Sequence, residues 1–153
     1  MSSLNIGFAL DQYPTLKRAS NSKALIRLVK GAAGSGKTSW AIMELLRSAL
    51  LQTPSPLDNT RYFRALVVRN TYALLKSNTI PSMKNMFGPL LQVTEGSQPF
   101  GRVRARLQDG TSLDMEVQFL ALDSEDAQDK LLGAEPTMAV SYTHLTLPTI
   151  CSV

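Results

Sequence analysis

The sequence predicts an α/β fold: a parallel sheet with helices on its faces and a β-hairpin inserted into it. Three observations point there. The apolar run Ala24–Lys30 stands before a glycine-rich octapeptide, and an apolar stretch of helical period follows, giving the order strand, loop, helix. A second run, Ala65-Leu-Val-Val68, is apolar at consecutive positions, as a parallel strand covered on both faces must be. Asp109-Gly110, between two alternating segments, is a strong hairpin-turn signal.

Length and composition bound the rest. At 153 residues one domain with a sizeable core is the natural expectation, and 44% hydrophobic against 18% charged residues is a globular balance. The formal net charge of +4 suits a phosphate-bearing partner but is common among soluble domains. No apolar run has the length to span a bilayer, so no membrane partner is expected. The start Met-Ser-Ser-Leu-Asn lacks the basic and apolar regions of a signal peptide. A single cysteine, Cys151, excludes an internal disulfide and a cysteine-rich zinc site, and a single histidine, His144, excludes a histidine cluster.

The octapeptide carries the chemistry. Gly31-Ala-Ala-Gly-Ser-Gly-Lys-Thr38 has the spacing G-x-x-x-x-G-K-[ST] of the phosphate-binding loop of nucleoside-triphosphate enzymes. Such a match arises by chance at roughly 1 in 30,000 positions. A loop that wraps a triphosphate with its own backbone N–H groups needs small residues: Gly31, Gly34 and Gly36 for conformation and close approach, with Ala32, Ala33 and Ser35 between them. Lys37 is expected to meet the β- and γ-phosphates and Thr38 to coordinate Mg²⁺, while Ser39 opens a helix whose N-terminus favours an anion. The expected cofactors are therefore ATP and Mg²⁺.

The other elements follow in order. Residues 1–22 are polar and mixed and read as an N-terminal arm, where Gln12 is either an adenine-edge contact or a solvated loop glutamine. The helix Ser39–Leu51 places Trp40, Ile42, Leu45, Leu46 and Leu50 on a broad apolar stripe, with Trp40 and Met43 as core residues. Residues 53–60 form an exposed loop by composition. The second strand, Phe63–Arg69, ends in an arginine that either reaches a phosphate or neighbouring carboxylate, or pairs locally. Tyr72–Lys76 reads as a short helix, and Pro81 opens a second one that Gly88 stops. Lys76 and Lys84 are solvated or face DNA.

From Phe100 onward Val103, Ala105 and Leu107 alternate with Arg102, Arg104 and Arg106, a half-exposed strand with an arginine row. That row is a wet face, a DNA-phosphate contact or an intersubunit contact. Leu113–Leu122 returns from the Asp-Gly turn. It ends in Asp123, with Glu125 and Asp126 beyond, so it is either a magnesium-holding strand or, as its place after the turn favours, the second hairpin strand. Ser124 starts a capped helix that Gly133 ends, and Met138-Ala-Val140 opens another strand.

With these pieces in order, residues 24–139 resemble the ATPase domain of phage large terminase subunits. The resemblance rests on Gly31–Thr38; on Val67-Val-Arg-Asn-Thr-Tyr-Ala-Leu-Leu75 with Thr79-Ile-Pro81; and on Phe119-Leu-Ala-Leu-Asp-Ser-Glu-Asp126 with Lys130-Leu-Leu-Gly-Ala-Glu-Pro-Thr137. It implies a P-loop NTPase fold, ATP hydrolysis that drives double-stranded DNA into a preformed capsid, and assembly in the host cytoplasm. It further implies a homo-oligomeric ring, with the portal protein and the small terminase subunit as partners and a separate nuclease domain. Arg69 or Arg104 is then a candidate to complete a neighbouring subunit's site.

The resemblance also implies acidic residues just after Met138-Ala-Val140, and the sequence has none there. Residues 140–153 instead resemble the translation of a sequencing-library adapter. On that expectation the ATPase domain is partial, residues 23–139, the later strands of its sheet are missing, and His144 and Cys151 have no role. Two rival readings stand beside the motor: a P-loop kinase for a small molecule, and a non-catalytic remnant that kept its loop.

Overall fold

The computed structural model describes residues 9–32, 34–123 and 125–142. Its frame is a five-stranded open sheet in the order β2-β3-β4-β1-β5, formed by β1 (Thr60–Arg69), β2 (Leu91–Thr94), β3 (Phe100–Arg106), β4 (Ser112–Ala121) and β5 (Met138–Tyr142). β1 lies between β4 and β5 and is parallel to both, which is why Ala65, Leu66, Val67 and Val68 are all buried, as the unbroken apolar run predicts.

The sheet is mixed, not parallel, and the hairpin is part of it. β3 and β4 turn at Asp109-Gly110, where Gly110 has φ 83°, and pair antiparallel. β4 pairs along its other edge with β1, in parallel. It earns this central place with Leu113, Met115, Val117 and Phe119, which alternate onto one buried face. β2, a four-residue strand not anticipated from the sequence, continues the antiparallel ladder on β3.

One face of the sheet carries most of the core. The helix α2 (Lys37–Leu50) lays Ile42, Leu45, Leu46 and Ala49 on it, as its apolar period predicts. Full burial of each such leucine or isoleucine is worth about 1.5–3 kcal/mol. Beside α2 runs α4 (Ile80–Phe87), contributing Ile80, Met83 and Phe87. The expected pair of helices is one continuous run: α3 (Tyr72–Leu74) passes through a π turn, Leu75–Thr79, into α4. Pro81 accounts for the wide turn, because it has no N–H to give and its ring crowds the carbonyl four residues back. Gly88, at φ 54°, ends the run.

The opposite face is only partly covered. Leu66, Val68 and Leu120 pack with Ala134, just beyond α5 (Ala127–Gly133). The rest of that face is charged, with Arg102 and Arg104 on Asp114, and Arg64 on Glu116. Arg102 meets Asp114 through two hydrogen bonds, of 2.8 and 2.6 Å. The arginine row is thus an ion-paired wet face at Arg102 and Arg104.

One expectation fails in the N-terminal third. Ala24–Lys30 is not a strand. Leu25, Ile26 and Leu28 are 100%, 75% and 93% exposed, and among the described residues no backbone hydrogen bond joins 25–30 to the sheet. Both sides of β1 are already taken, so this run has no central slot beside it. Within the N-terminal arm, residues 9–22 are folded: a 3₁₀ turn at Leu10–Gln12 leads into α1 (Pro14–Asn21), whose Leu16 and Ser20 are buried. Leu16 packs with Trp40 and Ala41. α5 starts at Ala127, with Asp126 at its cap position and no capping bond; the proposed cap Ser124 lies outside the described residues. β5 runs through Val140 to Tyr142, across the expected boundary at 140, and the remaining tail, with His144 and Cys151, lies outside the described residues.

Candidate functional site: the glycine-rich loop at the start of α2

The loop ends where a helix begins. Gly36 sits at the cap position of α2 with φ 77°, and Gly34 has φ 75°, a left-handed backbone that residues with a Cβ seldom adopt. The first helical bond runs from Trp40 N to Gly36 O at 2.8 Å. No side chain caps this helix and its first turn holds no acid, so the amides of Lys37, Thr38 and Ser39 face outward at the positive end of a 14-residue helix.

Lys37 folds back over the loop. Its ammonium donates to Gly31 O at 2.7 Å, to Ala32 O, and to Ser35 Oγ at 2.8 Å. A Cβ on Gly31 would stand 3.0 Å from Ser35 Oγ and 3.6 Å from Lys37 Nζ, so the loop closes tightly at that glycine. Ala33 lies outside the described residues. Thr38 and Ser39 are half-buried at the helix start. Two loop carbonyls and the Ser35 hydroxyl thus hold the Lys37 ammonium.

The helix start sits at the C-terminal ends of the parallel strands, where open α/β sheets take ligands. Tyr142, the last residue of β5, donates its hydroxyl to Thr38 O at 3.4 Å. Its ring carries the Arg69 guanidinium 4.4 Å from the centroid. Arg69, 7% exposed, donates Nε to Thr79 Oγ1 at 2.9 Å. Burial lowers the guanidinium pKa and pushes the Tyr142 phenol up to about 12. Arg69 therefore pairs locally, with a hydroxyl and a ring.

The other candidates are dispersed. Asp123 follows β4 at this same sheet edge, but β1 separates β4 from β5, and its carboxylate accepts Tyr72 N at 3.3 Å at the start of α3. Among the described residues no group of His, Cys, Asp or Glu is arranged to hold a metal ion. Gln12 is exposed in the 3₁₀ turn, and Lys84 pairs with Glu95. A shallow hollow of about 350 Å³, lined by Thr60, Tyr62, Arg104, Arg106 and Asp114 among others, opens at the N-terminal ends of β1 and β4, away from the loop.

One feature behind the loop was missed from the sequence. Glu44 of α2 is buried and accepts Ser20 Oγ at 2.7 Å, Arg27 Nη1 at 2.7 Å and Arg47 Nη1 at 3.3 Å. Trp40 Nε1 donates to the same Ser20 Oγ at 2.7 Å. The signal was present: a glutamate between Ile42 and Leu45, inside the apolar stripe, needs a buried partner. Compared with family models, curated proteins and solved structures, the chain matches none of them.

Proposed function

We propose that the chain binds the phosphates of ATP at Gly31–Ser39, within a P-loop NTPase fold, and belongs to a motor of the phage large terminase kind that packages double-stranded DNA. The observation that carries the reading is the uncapped N-terminus of α2 behind two positive-φ glycines, with the Lys37 ammonium resting on the carbonyls of Gly31 and Ala32. That arrangement fits a polyphosphate: outward amides and a helix end for the anion, and a cation already at the site. Gly31, Ala32, Ala33, Gly34, Ser35 and Gly36 form the wrap, and Lys37 exchanges its carbonyl partners for phosphate oxygens. Thr38 offers a hydroxyl to Mg²⁺ and Ser39 an amide. Bound Mg²⁺ neutralises phosphate charge; no carboxylate of β5 is there to share it, so this chain is expected to turn ATP over poorly.

The remaining parts of the reading rest on the residues that resemble terminases: the DNA substrate, a homo-oligomeric ring, the portal and small-subunit partners, and assembly in the host cytoplasm; a foreign origin for residues 140–153 rests on their own resemblance to a translated sequencing adapter. No helix among the described residues is long and apolar enough to cross a membrane.

Titration calorimetry with a non-hydrolysable ATP analogue tests the site. Lys37→Ala is expected to abolish binding, and equal affinity in wild type and variant would overturn the assignment. On a full-length protein, phosphate release measured with and without double-stranded DNA separates a DNA motor, which DNA stimulates, from a small-molecule kinase, which it does not.

A further inference from the structure

The loop's leading limb is held in an unusual way. Residues 24–30 have neither sheet pairing nor full burial, and Leu25 and Leu28 are almost wholly in water. Two inward-turned side chains attach this limb to the body. Val29 packs on the Trp40 cluster, and Arg27 donates Nη1 both to Glu44 Oε2 at 2.7 Å and to Ala19 O at 3.2 Å. Glu44 is itself fixed from α1 by Ser20 and from its own helix by Arg47, which also donates to Ser20 O at 3.0 Å. A buried carboxylate on α2 thereby ties together α1, the helix that follows the loop and the segment that precedes it.

We propose that Arg27, acting through Glu44, is a positioning residue for the glycine-rich loop. The pair holds the limb that ends in Gly31 and Ala32, so that their carbonyls stay over Lys37 and the loop remains closed around its anion site. The inference rests on the nucleotide-binding reading above.

The argument is one of unequal costs. Freeing the limb exposes little apolar surface, because most of that surface is already exposed, so only a few contacts oppose its detachment. The buried, charge-assisted Arg27–Glu44 bond is the strongest of them. Without Arg27, Glu44 Oε1 keeps Ser20 and Arg47 but Oε2 loses its donor, so some global stability is lost as well. Losing Arg27 therefore lowers the fraction of molecules with a competent loop, and apparent affinity falls by that same fraction. A residue needed only for stability would instead speed exchange throughout the sheet, in step with the melting temperature.

The test uses Arg27→Met, which keeps the aliphatic stem, and Arg27→Lys, which keeps a charged donor. Amide exchange of residues 24–32 and of β1 is followed without nucleotide, affinity for the ATP analogue is titrated, and the melting temperature is recorded. Arg27→Met is expected to speed exchange in this segment more than in β1 and to weaken affinity about tenfold, beyond what its lower melting temperature accounts for, with Arg27→Lys restoring part of both. Unchanged exchange in Arg27→Met overturns the positioning role whatever the nucleotide result. Faster exchange with unchanged affinity overturns it too, while leaving the nucleotide site standing. A wild-type chain that binds no analogue overturns the nucleotide-binding reading, and the inference with it.

Discussion

Two runs of this chain look alike as sequence and end in opposite places. Ala24-Leu-Ile-Arg-Leu-Val and Phe63-Arg-Ala-Leu-Val-Val are both short, aliphatic and interrupted by one arginine. The second is the spine of the sheet, with β4 on one edge and β5 on the other and helices over its inner face. The first has no place in the sheet, and its Leu25, Ile26 and Leu28 lie in solvent. Intrinsic preference is the same for both, so the difference lies in what each can pair with: a strand is stabilised by cross-strand neighbours. β1 has ten residues in register with β4 and five with β5, whereas 24–30 has none among the described residues.

Cutting one side chain from each run should break the symmetry between them, and this is the largest effect expected. Phe63 is buried in the inner core, and Phe63→Ala should cost about 3–5 kcal/mol through lost burial and a residual cavity. Leu28→Ser, at a fully solvated position, should change stability by less than about 0.5 kcal/mol. Urea unfolding of both variants measures the contrast. A comparable loss in Leu28→Ser would mean that the first run is a buried strand after all.

A smaller effect tests how each run's end is secured. β1 terminates in Arg69, buried and bonded to Thr79 in the π turn, whereas Ala24–Lys30 opens directly into the glycine-rich loop. Thr79→Val keeps the shape of that contact but leaves a buried guanidinium N–H without its acceptor, at a cost of about 1–3 kcal/mol. Urea midpoints for wild type and variant measure it. A neutral result would show that Arg69 is satisfied by the Tyr142 ring alone.

How far the sequence could be read follows the same division. The stripe Ile42, Leu45 and Leu46, the run Ala65–Val68 and the turn at Asp109-Gly110 are local patterns, and each forms where its period or turn chemistry places it. The positive φ of Gly34 and Gly36 and a helix start directly after them are local as well, although the helix begins at Lys37, two residues before the expected Ser39. What depends on a distant partner was not. β2 exists because β3 offers an edge, and neither Gln92 nor Thr94 announces a strand. The return strand of the hairpin became a central strand because β1 accepts it in parallel, which no residue of the hairpin declares. Ser20, Arg27 and Glu44 lie apart in the chain and form one cluster only once α1 and α2 are packed.

The smallest expected effect concerns the entrance to β1, where acid should loosen a tie that the first run lacks. Arg61, second residue of β1, donates to Leu50 O, to Gln52 O, and through Nη2 to Asp109 Oδ2 at 2.9 Å, so it binds the end of α2 and the hairpin turn to the strand. Asp109 also accepts Thr111 Oγ1 at 2.6 Å and Thr111 N at 2.9 Å. These bonds, Thr111's hydroxyl first and Arg61's charge last, draw the Asp109 carboxyl down from 3.8 to about 2. The folded pKa lies below the unfolded one, so the contribution is complete above about pH 4 and is lost as pH falls through about 2. The carboxylate is solvent-exposed, so the effect is local: the amides of Gly110 and Thr111 should shift with a midpoint near 2 in an NMR titration, and Asp109→Asn should remove the transition. A midpoint near 4 would mean that neither Thr111 nor Arg61 holds the carboxylate in solution, leaving Arg61 to fasten the entrance of β1 through the carbonyls of Leu50 and Gln52.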